Sequence, residues 1–186
     1  MKIFRIVSLG LLASSTIFAQ PDQAKNTELS LSGFYQNIST NNSSNTFGAF
    51  LVSPRVGYFV TEGLELEPEL TFAVVSQSDP MYQMNGNLCY NFNRSTQTIP
   101  FILVGYGIAN TTPFLNVPFD KIDFSVGVLN LGIGIKSYVS SDVAVRVEYR
   151  FQKYSGQGEE NYYGYSYTNT VSESVHTVQI GFCILL

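Results

Sequence analysis

The chain has 186 residues, a net charge of −4 and only 13% charged residues against 14% aromatic ones, all of them Tyr or Phe. That length suits one domain able to bury a core, while mild acidity and scattered basic residues exclude a nucleic-acid binder. One His, with two Cys outside any CxxC pair, offers no metal site, and neither metal nor cofactor is expected. A water-facing coat needs more charge than this, yet mean hydropathy is only +0.09. Segregation of apolar and polar residues onto the two faces of alternating strands reconciles the two.

The N-terminus sets Lys2 and Arg5 before an uncharged apolar run from Ile6 to Phe18, closed by the small residue Ala19. This is the pattern of a secretory signal peptide, and the run is too short to cross a bilayer as a helix. Residues 1–19 are expected to be removed, leaving 20–186 as one domain.

Beyond it, period-two runs recur between clusters of Asn, Ser, Gly, Asp and Thr. Eight strands are expected, at Glu28–Gln36, Phe47–Val60, Leu64–Val75, Met81–Phe92, Ile99–Ala109, Ile122–Val139, Val143–Tyr154 and Val171–Leu186. Most approach the length a tilted strand needs to span a bilayer. The links after the second, fourth and sixth strands are short; those after the first, fifth and seventh are longer and polar, while the one after the third, Ser76 to Pro80, is brief. That asymmetry predicts an antiparallel up-and-down transmembrane β-barrel of eight strands, with both termini in the periplasm and four loops outside.

The alternation also predicts which side chains face which way. Leu64, Leu66, Pro68, Leu70, Phe72 and Val74 oppose Glu65, Glu67 and Glu69, and Val143 to Phe151 alternate with Arg146, Glu148 and Arg150. The apolar sets are expected to face lipid. Arg55, Lys136, Arg146 and Arg150 then turn inward against Glu65, Glu67, Glu69 and Glu148, four charges of each sign. A narrow interior tolerates such charges only when they are paired, so a closed interior is expected. Gly105, Gly107, Gly132 and Gly134 make room for the long side chains. Tyr58, Phe59, Tyr90, Phe92, Tyr138 and Tyr149 fall at levels suited to an interfacial girdle. Cys89 and Cys183, on opposite strands, are expected as two packed thiols, since a disulfide would have to span the barrel.

Two features bear on activity. Glu173, Ser174 and His176 supply the residue types of the Ser, His and carboxylate site of lipid-A deacylase barrels; the simpler reading is of polar positions at the outer end of the last strand, with no catalytic site. The segment Ser155–Thr170, with Tyr162, Tyr163, Tyr165 and Tyr167, has the Tyr, Gly, Ser and Asn mixture of adaptable recognition surfaces. It is the candidate external contact loop.

The stretch NLGIGIKSYVSSDVAVRVEYRF, Asn130 to Phe151, resembles the penultimate hairpin of small outer-membrane barrels of the OmpA/OmpX type. The shared elements are a Gly-x-Gly-x-Lys strand, a short Ser/Asp turn and an alternating strand ending in Glu-Tyr-Arg. PFILVGYGIA and the alternating C-terminus fit the same family, although the chain ends on Leu186 where such barrels usually carry an aromatic residue. The resemblance implies an outer-membrane location. A structural or surface-interaction role is therefore expected, with outer-membrane lipid and an extracellular or host-surface partner as contacts and a monomeric state. A narrow, porin-like solute channel is the alternative, and a lipid-A-modifying enzyme ranks below it.

Overall fold

Eight strands follow one another in chain order: β1 Thr27–Ser39, β2 Thr46–Phe59, β3 Leu64–Val75, β4 Met81–Asn91, β5 Thr98–Ala109, β6 Val126–Tyr138, β7 Val143–Tyr162 and β8 Tyr165–Leu185. The computed structural model describes residues 20–39, 46–75, 80–110, 126–162 and 165–186. Each strand pairs antiparallel with the next, and β8 pairs with β1 from Glu28↔Leu185 to Gly33↔Ile180, closing a barrel. Following the register from Ser30 through Arg55, Glu69, Asn85, Gly107, Val128 and Tyr154 leads to Glu173 on β8, ten residues from Cys183, which pairs with Ser30 directly. Strands in such a staggered barrel tilt steeply against its axis. Closure leaves no open edge around the membrane-spanning wall where the ladders are complete.

The three short turns lie at the end that carries both termini. Between β2 and β3 the Val60 amide donates to the Leu64 carbonyl at 2.9 Å, and the Leu64 amide to Thr61 Oγ1 at 3.1 Å. Between β6 and β7 the Val139 amide donates to the Val143 carbonyl at 2.8 Å and Ser140 Oγ accepts from the Val143 amide. Asn93, between β4 and β5, has φ of 51°, a left-handed conformation that asparagine tolerates better than other side-chain-bearing residues.

The expected strands are all present, with one substantial difference. Ser155–Thr170, read from sequence as a loop, is largely strand: β7 and β8 stay paired residue for residue from Ser155↔Ser172 to Tyr162↔Tyr165. Among the described residues the β6 ladder reaches Val126↔Gly156 and the β1 ladder Gly33↔Ile180, and β7 and β8 continue as a paired ribbon past both ladders. Tyr, Thr and Val favour the extended backbone whether or not a face is buried, and cross-strand pairing holds them there. The expected start of the sixth strand, Ile122 to Ser125, lies outside the described residues.

Candidate functional site

Strand alternation sends Arg55 of β2, Glu65, Glu67 and Glu69 of β3, Lys136 of β6, and Arg146, Glu148 and Arg150 of β7 into the barrel, where all are buried. Closure brings them together across sequence separations no local pattern encodes. Glu148 stands at the centre, accepting from Arg55 Nη1 at 3.1 Å, Arg146 Nη2 at 2.7 Å and Arg150 Nε at 2.5 Å. Arg150 reaches across to Glu69 at 2.6 Å and Arg146 to Glu67 at 2.5 Å. Arg55 Nε lies 2.8 Å from Glu69 as an ion pair, and its Nη2 donates to Gln179 Oε1 at 2.6 Å.

A second knot lies nearer the turns. Lys136 Nζ donates to Glu28 Oε1 at 2.7 Å and to Glu65 Oε2 at 2.9 Å. Glu28 is the residue sequence reasoning missed. It stands at the head of β1, where the inward series Glu28, Ser30, Ser32 continues the polar parity and gave the available signal. The buried network among the described residues therefore sets the carboxylates of Glu28, Glu65, Glu67, Glu69 and Glu148 against Arg55, Lys136, Arg146 and Arg150, with Arg94 buried apart at the turn end. Carboxylate oxygens of Glu28, Glu65 and Glu67 lie within 4.8 Å of one another. Lys136 and Arg146 already occupy that cluster, which makes it the acidic half of the network.

Polar amides complete the packing: Asn85 and Asn87 donate to Glu69, Asn91 to Glu65, and Gln152 to Asn130. Two glycines show how tightly these groups fit. A Cβ on Gly57 would collide with the Glu65 carboxylate, and one on Gly134 with the Phe101 ring and the Val147 carbonyl. Phe101 in turn carries the Arg146 guanidinium 4.5 Å over its ring, a contact that strengthens where water is excluded.

Apolar layers cap this band at both ends. Toward the turns, Phe59, Ile99, Tyr138, Ala144, Cys183 and Leu185 pack together. Toward the ribbon, Ala109, Val126, Val128, Tyr154 and Val175 form one group and Leu51, Ala73 and Met81, with Phe34, another. This corrects the expected girdle. Tyr58, Tyr90, Phe92 and Tyr149 face outward, but Phe59 and Tyr138 share the parity of Arg55 and Lys136 and point inside. Cys89 and Cys183 are both buried free thiols.

Across the turn end runs the segment from Pro21 to Asn26. The Asp22 amide donates to the Ser141 carbonyl at 3.1 Å, Lys25 pairs with Asp142 at 2.7 Å, and Arg94 donates to the Lys25 carbonyl at 3.2 Å. The Arg94 guanidinium stacks 3.7 Å over Phe59, joining this strap to the apolar layer beneath.

The outer wall is apolar on all eight strands, with Leu31, Val56, Leu66, Leu88, Val104, Ile133, Val147 and Ile180 among the residues turned outward. The Ser, His and carboxylate set does not assemble on it. Ser174 and His176 face outward whereas Glu173, of the opposite parity, faces inward, and His176 Nδ1 is engaged by the Tyr149 hydroxyl at 2.6 Å. Tyr162, Tyr165 and Tyr167 lie on the backbone of the β7–β8 ribbon, while Tyr163 falls outside the described residues.

Residues 9–181 match the family model described as outer membrane protein beta-barrel domain. Among solved structures, Neisserial surface protein A is similar at 14% identity and TM-score 0.58, covering 86% of this chain and 97% of its own. The N-terminal β-barrel domain of Pseudomonas aeruginosa OprF is similar at 16% identity and TM-score 0.52, covering 86% and 98%. No curated protein sequence matches the chain. The family match spans nearly the whole closed barrel, and the chain belongs to the outer membrane protein beta-barrel domain family, an outer-membrane β-barrel.

Proposed function

We propose that this protein is a closed, monomeric barrel with a structural and surface-interaction role, its turn end in the periplasm and its β7–β8 ribbon outside the cell. Residues 1–19 act as the secretory signal. The observation that carries the reading is the filled interior: a buried band of charges paired across the barrel, capped by apolar layers at both ends. Water and ions have no route through such a core, because an ion would have to displace paired charges and then cross apolar packing. Contact with other molecules falls to what stands outside the wall, and among the described residues the ribbon continues past its ladders with β1 and β6. Its backbone edges, unpaired among the described residues, and its Tyr-rich sequence suit a protein or glycan partner on an external surface.

Two measurements test this. In planar bilayers the wild-type protein is expected to show no steady conductance; a stable open level would replace this reading with that of a solute channel. Shortening the ribbon by removing residues 158–169 is expected to leave outer-membrane assembly and heat-modifiable gel mobility intact while abolishing attachment of expressing cells to surfaces or host cells. Unchanged attachment would remove the contact role.

A further inference from the structure

On β7 and β8 the outward face changes character at one shared level. Along β7 the outward residues Val147, Tyr149 and Phe151 give way to Lys153 and Ser155; along β8, Ile180 and Val178 give way to His176, Ser174 and Ser172. The register sets Phe151 opposite His176, Lys153 opposite Ser174 and Ser155 opposite Ser172. The two strands therefore cross from apolar to polar together, with a lysine and a histidine diagonal to each other at the boundary. Among the described residues these are the basic side chains on the outward face of the wall: Arg55, Lys136, Arg146 and Arg150 point inside, and Lys25 and Arg94 belong to the turn end. No described acidic residue shares that face, and Lys153 forms no ion pair with any described residue.

We propose that this patch binds the phosphate headgroup of an anionic membrane lipid in the leaflet on the ribbon side. The site is basic, hydroxyl-rich and placed where a headgroup meets acyl chains, and each part has a role. Lys153 is half-buried, and a lysine stem there is long enough to lie along the wall with its ammonium at headgroup level. The Tyr149 hydroxyl hydrogen-bonds His176 Nδ1 at 2.6 Å, which holds the ring in place and leaves Nε2 as the ring nitrogen turned to a headgroup. Exposed Ser172 and Ser174 add hydroxyl donors beside them. Below, Tyr149 and Val178 offer an apolar surface to the acyl chains. A phosphomonoester presents charge and acceptor oxygens enough to engage these donors; a zwitterionic headgroup sets its own cation against Lys153.

The test uses the full mature chain refolded into bilayer nanodiscs of phosphatidylcholine containing a minor fraction of phosphatidic acid, with native mass spectrometry reading the lipids that stay bound on release into detergent. Wild type is expected to retain phosphatidic acid over phosphatidylcholine. Lys153→Gln and His176→Gln are each expected to lower that preference, the double variant by about fivefold or more, and Lys153→Arg to keep it. Heat-modifiable mobility confirms that each variant is folded; these outward residues carry no core packing. The shortened ribbon is expected to retain the lipid as wild type does, because the site lies below it. Equal retention of the two lipids by wild type, a preference that survives the double substitution, or its loss on shortening the ribbon would each overturn the proposal.

Discussion

The barrel interior and the β7–β8 ribbon are built on the same two paired strands, and they end in opposite situations. Inside the wall, Arg146, Glu148 and Arg150 of β7 find partners on β2 and β3, from the far side of a closed sheet. Past Gly156 the same strand pairs, among the described residues, with β8 alone. What separates the regions is closure: it turns a polar strand face into a satisfied core, and without it the face stays open to solvent or to a partner. Stability should therefore reside in the band and contact chemistry in the ribbon.

The strongest way to break this contrast is to remove the centre of the network. Glu148→Ala would leave Arg55, Arg146 and Arg150 sharing fewer carboxylates, and a buried pair broken on one side costs about 3–5 kcal/mol. Arg146→Ala is expected to cost a similar amount by taking from Glu67 its close partner and leaving it only Arg55 at 3.9 Å among the described residues. Leu66→Ala on the lipid face should cost about 1 kcal/mol or less, since lipid replaces the lost contacts. Reversible urea unfolding in lipid vesicles reads all three, and an inverted ranking would mean that the faces are exchanged.

Next comes the apolar cap. Phe59 packs with Ile99 and Tyr138 under the Arg94 guanidinium, so Phe59→Ala is expected to cost about 3 kcal/mol. It also thins the layer between the charged band and water, and single-channel recording should show brief leak events absent from wild type. A silent recording with the full stability loss would place the seal in the charged band alone.

These two regions differ equally in how far the sequence revealed them. Strand parity is local: period two along β3 and β7 assigns Glu65, Glu67, Glu69, Arg146, Glu148 and Arg150 to one face before any partner is known. The same parity from Arg55 to Phe59, and from Lys136 to Tyr138, points those two aromatics inward; judging them by level near strand ends gave a girdle instead. Who pairs with whom was not legible, because Lys136 meets Glu28 across 108 positions only after eight strands close with a particular stagger. The ribbon escaped for another reason. Its polar composition reads as loop, while its β-propensity expresses itself only because β7 and β8 already run side by side below it.

Shortening the ribbon sharpens the comparison from the other side. Removing residues 158–169 deletes backbone pairs that β7 and β8 make, among the described residues, with each other alone, so the unfolding free energy should change by about 0.5 kcal/mol or less, since changes in surface loop length carry small entropic costs. A loss approaching that of Glu148→Ala would show that the ribbon folds with the barrel as one unit.

The smallest effect is expected at the turn end, where Lys25 and Asp142 tie the strap to the β6–β7 turn in partial contact with water. The hydrogen bond from Lys25 holds the Asp142 carboxyl below its ordinary value of 3.8. A carboxyl lowered in the folded state stabilises that state above its ordinary value, and the contribution is lost as pH falls through the folded value. From neutral pH down to about 5 the contact should therefore be constant, and it should fade only in stronger acid. Carboxyl-carbon NMR of Asp142 reads this directly: wild type is expected to titrate below 3.8, and Lys25→Gln to move the midpoint back up toward that value. High salt should shrink the difference between the two proteins, because an exposed pair is screened as the buried pairs of the band are not. A wild-type midpoint at or above the ordinary value would mean that Lys25 does not hold Asp142 in the membrane-embedded protein, and that the strap is secured by its backbone bond to Ser141 and by Arg94.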